Sequence, residues 1–230
     1  MVLKKGDIIK ISFTGKLENG VVFDTTDEKI AKDNNVFNED RKYEPMIIVV
    51  GAGALVPGLE EDLNGKNVGY KGSVTVPPEK AYGPRSRELI ETVPAKKFDT
   101  KVEPGMMVEY GNRVGFIENV SGGRVKIDYN EPLAGKTLTF EYSIDEQIKD
   151  KKEKAAALVT SYIGAETKYT LEGDTVTIEV PKDFYLDEEW VLGKMIIARF
   201  LISYVGMKHV VYKEDFEEAD VKETEEEKSR

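Results

Sequence analysis

An apolar strand running into Gly51-x-Gly53 is a pattern that invites a pyrophosphate, and IIVVGAGALVPGLEEDL, from Ile47 to Leu63, has it. The dinucleotide fingerprint needs a third glycine three residues on, where a missing Cβ lets helix and strand pack closely. Val56 stands there, and the next glycine, Gly58, comes two places late and behind Pro57. A second phosphate pattern, Gly135-Lys136-Thr137, fails in the same way. Asn130 occupies the position of the loop's first glycine, and Glu131 adds the wrong charge. His209 is the chain's one histidine and lies in a strand pattern far from any nucleophile, which argues against a serine triad. Cysteine is absent, so disulfides, thiolate catalysis and cysteine ligands are excluded, and zinc lacks its usual ligands. The pairs Glu60-Glu61 and Glu188-Glu189 fit solvated first turns of helices. The sequence asks for no metal and no cofactor.

What remains is apolar. Phe13, Phe23, Leu55, Val56, Leu59, Tyr82 and Phe140 recur at the ends of strands and turns. By spacing alone they fit a plain core as well as a site.

The elements that would position them follow from periodicity. Residues 6–14 alternate like a half-buried strand, 17–20 offer a turn, and Val21 to Phe23 begin the return. Residues 27–44 are polar, with a short helical stretch at 27–32 inside a bulging loop. Ile47 to Val50 read as a strand, and Leu55, Leu59 and Leu63 sit at helical spacing before Gly65. Ser73 to Val76 resume a strand that Pro77-Pro78 ends. Residues 84–131 differ: a short helix at Pro94 to Phe98, then strands at 106–110, 114–120 and 124–129, with turns at Gly111-Asn112 and Gly122-Gly123. Strand alternation returns at 138–144. Beyond Asp150 comes an α-β-β-α-β pattern: a helix stopped by Gly164, strands 168–172 and 175–180, a helix from Asp187 to Tyr204, and a strand at 209–212. Trp190, Ile196 and Phe200 are its expected core.

The chain has 230 residues and a net charge of −10, so nucleic acid and anionic membranes are poor partners. The unit at 105–130 balances Arg113, Arg124 and Lys126 against Glu109, Glu118 and Asp128, which makes it a poor RNA platform. No run approaches a membrane span, and a cytoplasmic address is expected.

In order, Phe13-Thr14-Gly15, Val22-Phe23-Asp24-Thr25-Thr26, Leu55-Val56-Pro57-Gly58-Leu59-Glu60, Ala81-Tyr82-Gly83 and the Leu138-Thr139-Phe140 strand resemble the FKBP family of peptidyl-prolyl cis/trans isomerases. The match covers 6–83 and 133–148. The β unit inserted between Tyr82 and Phe140 resembles the insert-in-flap domain of SlyD-type members. The C-terminal unit is similar to that of long-chain archaeal FKBP proteins. The resemblance implies an α+β fold: an antiparallel half-barrel sheet wrapped on a short helix (1–83 plus 132–149), an inserted all-β domain (84–131), a C-terminal α-β-β-α-β domain (150–216) and an acidic tail (217–230), expected to be disordered. It also implies a prolyl-isomerase chaperone acting on unfolded or proline-containing polypeptides.

Roles come over from the family position by position. Phe13, Phe23, Leu55, Val56, Leu59 and Phe140 would enclose the proline ring, with Met46 at the outer edge. The Val56 N–H would hold the carbonyl after proline, Tyr82 would donate to a substrate carbonyl, and Asp24 would polarise the site. Met106, Met107, Val114 and Phe116 of the insert would accept extended chain by β-augmentation, although part of them also fits that unit's own core. Phe13 stands where many members have tyrosine, Leu59 where the small drug-binding members have tryptophan, and Glu131 where SlyD-type proteins usually have histidine. An alternative reading keeps the binding and drops the catalysis, leaving a holdase. An apolar remainder on the C-terminal domain would serve a homodimer.

Overall fold

The computed structural model describes residues 2–217. In chain order its elements are β1 (Ile8–Leu17), β2 (Val22–Thr25), α1 (Glu28–Asp33), β3 (Met46–Val49), α2 (Pro57–Leu63), β4 (Lys71–Val76), β5 (Ile90–Pro94), β6 (Met107–Tyr110), β7 (Arg113–Ser121) and β8 (Arg124–Asp128). Then follow β9 (Leu138–Ile148), α3 (Lys151–Tyr162), β10 (Tyr169–Glu172), β11 (Thr175–Glu179), α4 (Trp190–Phe200) and β12 (His209–Lys213). The fold is α+β, built on three sheets.

The first sheet runs β2-β1-β9-β4, with β3 on the same edge of β1 as β2, all pairs antiparallel. Strand alternation sends Ile9, Ile11 and Phe13 of β1 and Leu138, Phe140, Tyr142 and Ile144 of β9 to one face, where Leu59 and Leu63 of α2 cover them. A register shift explains why the other face is also apolar. Lys10 pairs with Glu146 but Ile11 pairs with Ile144, so Asp145 bulges and the strand flips its sides. Ile148, with Ile8 and Val49, therefore packs against the C-terminal elements.

The second sheet, β5-β8-β7-β6, is antiparallel around Val93, Ile117, Val125 and Ile127. Sequence reading misses β5. That strand lies at the sheet edge, ends on a proline, and buries fully only Val93, so its alternation is too thin to read.

In the third sheet β11 and β12 run parallel, with α4 in the crossover between them. The helix expected over 187–204 is α-helical from Trp190 to Phe200 and continues as a π turn, Leu201–Val205, which Gly206 stops at φ +78°. Trp190 and Phe200 are buried as expected. Ile196 is not: it is 46% exposed and shares an outward side of α4 with Val191, Leu192 and Met195. Helical periodicity shows that a side is apolar; it does not show what covers it. Of the acidic tail at 217–230, all but residue 217 lies outside the described residues.

Candidate active site

Four elements bring the first group of residues together. Phe13 on β1 and Phe140 on β9 lie side by side with ring centroids 6.2 Å apart. Phe23 on β2 meets Phe140 edge-on at 5.8 Å and 87°. Edge-to-face packing suits the ring quadrupoles and fixes each ring's tilt. Leu59 of α2 is buried among them, and Met46, Leu55 and Val56 pack half-buried on the same cluster.

Two glycines make the approach possible. A Cβ on Gly15 would sit 2.5 Å from Cζ of Phe23, so the ring occupies the space that the absent side chain leaves. A Cβ on Gly58 would sit 2.4 Å from Cγ1 of the buried Val76, so α2 can lie close on β4 only with glycine there. The glycine turn that looks like a phosphate loop is a helix entry. Gly53 N–H donates to Glu60 Oε1 at 3.0 Å, and the Val56 carbonyl accepts from Leu59 and Glu60 N–H at 3.0 and 3.1 Å. Pro57 fits the first helical position, where its missing N–H costs nothing. The Val56 N–H makes no hydrogen bond to a described residue and is free to donate outward.

A polar seam locks the hairpin that carries Phe13, Phe23 and Asp24. Phe13 N–H donates to Thr26 Oγ1 at 3.0 Å, Thr25 Oγ1 donates to the Phe13 carbonyl at 3.1 Å, and the Thr14 and Thr25 hydroxyls bond at 2.9 Å. All three threonines are buried, so each bond spares a desolvated polar group.

Tyr82 is 42% exposed and lies outside the apolar cluster, near enough to Asp24 for that carboxylate to act on its hydroxyl. Burial pushes its phenol pKa up, and the carboxylates of Asp24 and Glu131 add to the rise, so the hydroxyl stays a donor well above neutral pH. Asp24 is ion-paired with Arg41, a residue that sequence reasoning passed over inside the polar loop. Arg41 also lies over the Tyr43 ring at 5.4 Å, Tyr43 stacks on Phe37 at 5.4 Å and 16°, and Lys32 covers Phe37 at 4.6 Å. The signal available was two aromatic residues, Phe37 and Tyr43, in an otherwise charged segment.

The insert's four residues lie elsewhere. Met106, Met107, Val114 and Phe116 are all exposed, and none belongs to the buried cluster of their unit. Met107 pairs with Phe116 across β6 and β7, which puts them together on the outward face, with β6 at the sheet edge. Among the described residues no cluster of His, Cys, Asp or Glu is arranged for a metal ion, and no helix is long and apolar enough to cross a membrane.

Comparison with known proteins gives matches to three family models. Residues 2–103 match FKBP-type peptidyl-prolyl cis-trans isomerase, 91–133 match the FKBP26 IF domain, and 151–217 match the FKBP26 C-terminal region. The short-type peptidyl-prolyl cis-trans isomerase of Methanocaldococcus jannaschii is 38% identical over 146 residues, 62% of this chain and 92% of that protein. The SlyD isomerase of Aeromonas hydrophila is 35% identical over 142 residues, 60% of each chain. A probable 16 kDa FKBP-type isomerase of Pseudomonas fluorescens is 30% identical over 142 residues, 59% of this chain and 85% of that one. With its interlocked aromatic cup, and with relatives of this identity and coverage, the chain belongs to the FKBP-type peptidyl-prolyl cis-trans isomerases.

Proposed function

We propose that the cup of Phe13, Phe23, Leu55, Val56, Leu59 and Phe140 receives the proline ring of a polypeptide and catalyses rotation about the preceding peptide bond. The supporting observation is that these side chains share one apolar cluster, with the Val56 N–H unspent among the described residues and the Tyr82 hydroxyl within reach of the Asp24 charge. Val56 takes the carbonyl that follows proline, and Tyr82 takes the carbonyl of the residue before it. Met46 lines the outer edge, and Asp24, held by Arg41, sets the charge beside the hydroxyl.

The barrier of ~18–20 kcal/mol arises from amide resonance, which also gives the planar bond its charge separation. Twisting removes both. Water stabilises the polar planar form more than the twisted one, so an apolar cup that excludes water from the bond lowers the barrier. No covalent chemistry is needed. NMR exchange on an Ala-Leu-Pro-Phe peptide tests the reading. Enhanced cis/trans exchange supports it, and binding without enhanced exchange would leave a holdase.

We propose further that the unit at 84–131 grips unfolded chain through Met106, Met107, Val114 and Phe116, with the β6 edge offering backbone partners, and so feeds the cup at 1–83 and 132–149. The C-terminal unit at 150–216 is read as a dimer module, because Val191, Leu192 and Met195 form a row of large apolar side chains each over 60% exposed. Sedimentation of Leu192→Glu against the parent tests this: a lower mass supports the dimer, and an unchanged one discards it.

A further inference from the structure

The false phosphate pattern, Asn130 followed by Gly135-Lys136-Thr137, lies in the segment that returns from the insert to the first sheet. That segment is bonded to the outgoing one along its length. Gly135 N–H donates to the Gly83 carbonyl at 2.8 Å, and Tyr129 N–H donates to the Leu89 carbonyl at 2.8 Å. Between these two bonds Ser86 N–H donates to Asn130 Oδ1 at 2.8 Å, and Asn130 Nδ2 donates back to the Ser86 carbonyl at 2.9 Å. A Cβ on Gly135 would lie 3.0 Å from Cβ of Arg85, so a glycine is what lets the two segments close on each other.

Asp128, the last residue of β8, ties both segments to the insert. Its Oδ1 accepts from Asn130 N–H at 2.9 Å and from Asn130 Nδ2 at 2.6 Å, and its Oδ2 accepts from Arg85 Nε at 2.9 Å and Nη2 at 2.6 Å. Arg85 Nη2 reaches on to Glu118 of β7 at 3.0 Å. Across the sheet Asp128 stands opposite Phe116, and Phe116 stands opposite Met107. Residues directly opposite share a face, so Asp128 lies on the outward face that carries Met107 and Phe116. Phe116 lines one open cleft with Arg85, Asp128 and Asn130. Asn130 is itself buried, so opening its bonds would strand desolvated polar groups.

Units joined by linkers move relative to one another by default. Here the two linkers are bonded to each other and to the face beside them. We propose that Arg85, Asp128 and Asn130 form a latch that fixes the insert's outward face relative to the cup, and that they are positioning residues for catalysis on long chains. This role rests on the reading of the insert as the grip and of the cup as the place of rotation. A chain held at Met107 and Phe116 meets the cup as an intramolecular partner. Its effective concentration there depends on how narrowly the connection limits its position. With the latch closed, a held proline stays in a small volume near the cup. With the latch open, the chain is gripped equally well but ranges over a larger volume. A tetrapeptide needs no grip, so the latch does not touch its rate.

The test compares the full chain with its Arg85→Gln and Asn130→Ala variants. The readouts are exchange of Ala-Leu-Pro-Phe, suppression of aggregation of an unfolded protein, and kcat and KM for proline-limited refolding. Exchange, suppression and KM should match the parent, while the refolding kcat falls by about fivefold in Arg85→Gln and about tenfold in Asn130→Ala. Arg85 is exposed, so Arg85→Gln keeps the fold and decides the matter should Asn130→Ala not fold. An unchanged refolding kcat in Arg85→Gln overturns the latch. So does an equal loss on the tetrapeptide, or a raised KM with weakened suppression, which would make Arg85 a support of the insert's own fold. A parent that exchanges the tetrapeptide but neither suppresses aggregation nor speeds refolding removes the grip and the latch while the cup stands. A parent that does not exchange the tetrapeptide removes the cup and the latch together.

Discussion

The prolyl cup and the outward face of the insert are both apolar, yet their side chains are held differently. In the cup, Phe13, Phe140 and Leu59 are less than a tenth exposed, and three rings fix one another's tilt. On the insert, Met107 and Val114 are more than half exposed, and no described aromatic ring packs on that of Phe116. On the proposed reading, the cup surrounds a bond, whereas the face touches only one side of a chain. Enclosure is what removes water from a twisting amide, and an open face cannot do that. An open edge with flexible methionines can accept many sequences, which a rigid cup cannot. The proposed function thus assigns chemistry to the one surface and holding to the other.

The sharpest way to break this division is Phe23→Ala. Losing the ring opens the cup beside Phe140 and admits water, and kcat/KM should fall by about 100-fold, near 2.7 kcal/mol. The loss should be equal for a tetrapeptide and for a refolding protein, because both must pass through the cup. A loss confined to the protein substrate would mean that Phe23 belongs to gripping.

The converse variant carries Met107→Ser, Val114→Ser and Phe116→Ser together. These side chains are outside the buried cluster, so the thermal midpoint should hardly move. Rates on a proline-limited refolding protein should fall by about tenfold, since three apolar contacts with the chain are lost. Rates on a tetrapeptide should stay as they were. Equal losses on both substrates would erase the distinction between the two surfaces.

Tyr82→Phe probes the rim, where a single neutral hydrogen bond is at stake. Such a bond contributes ~1 kcal/mol, so a fall of about fivefold in kcat/KM is expected. The pH profile adds a sign. The folded pKa is raised above the usual value near 10, so the donor persists through neutral pH and is lost only as pH rises beyond about 10. The parent and Tyr82→Phe should therefore differ by a constant factor at neutral pH and converge above that range. Convergence between about pH 6 and 8 would remove the hydroxyl from the mechanism.

Much of this was legible in the sequence, and the exceptions share a cause. Strands with clear alternation, such as β1 and β9, and turns marked by Gly111-Asn112 or Gly122-Gly123, can be read because their signal is local. The motif residues Phe13, Phe23, Val56 and Leu59 were nameable only through the resemblance to a family, because their spacing alone fits a plain core as well. What escaped depends on distant partners. β5 exists because β8 offers it an edge. Ile196 faces outward because the buried side of α4 is set by α3 and β12, not by its own period. Arg41 was invisible because its role is fixed by Asp24, 17 positions away across a polar loop. Pairing between segments is what the sequence carries least explicitly.

The smallest expected effect concerns that loop. Arg41 reaches Asp24 from a segment with little packing of its own, and the order there comes from the stack of Lys32, Phe37, Tyr43 and Arg41. Asn38 N–H also donates to the Tyr43 hydroxyl at 2.9 Å, which closes the loop on itself. Removing the ring in Tyr43→Ala should free Arg41 and leave Asp24 unpaired beside Tyr82. A partly exposed pair of this kind is worth under ~1 kcal/mol, so activity should fall by about two- to threefold. Tyr43→Phe keeps the ring and loses only the hydroxyl's two bonds, the one it accepts from Asn38 N–H and the one it donates to the Val36 carbonyl at 3.4 Å, and most of the activity should return. The loss should shrink in high salt, where the released carboxylate is screened. If Tyr43→Phe falls as far as Tyr43→Ala, the hydroxyl's bonds rather than the stack order the loop. If neither variant changes the rate, the cup needs no help from this loop, and enclosure alone separates it from the open face of the insert.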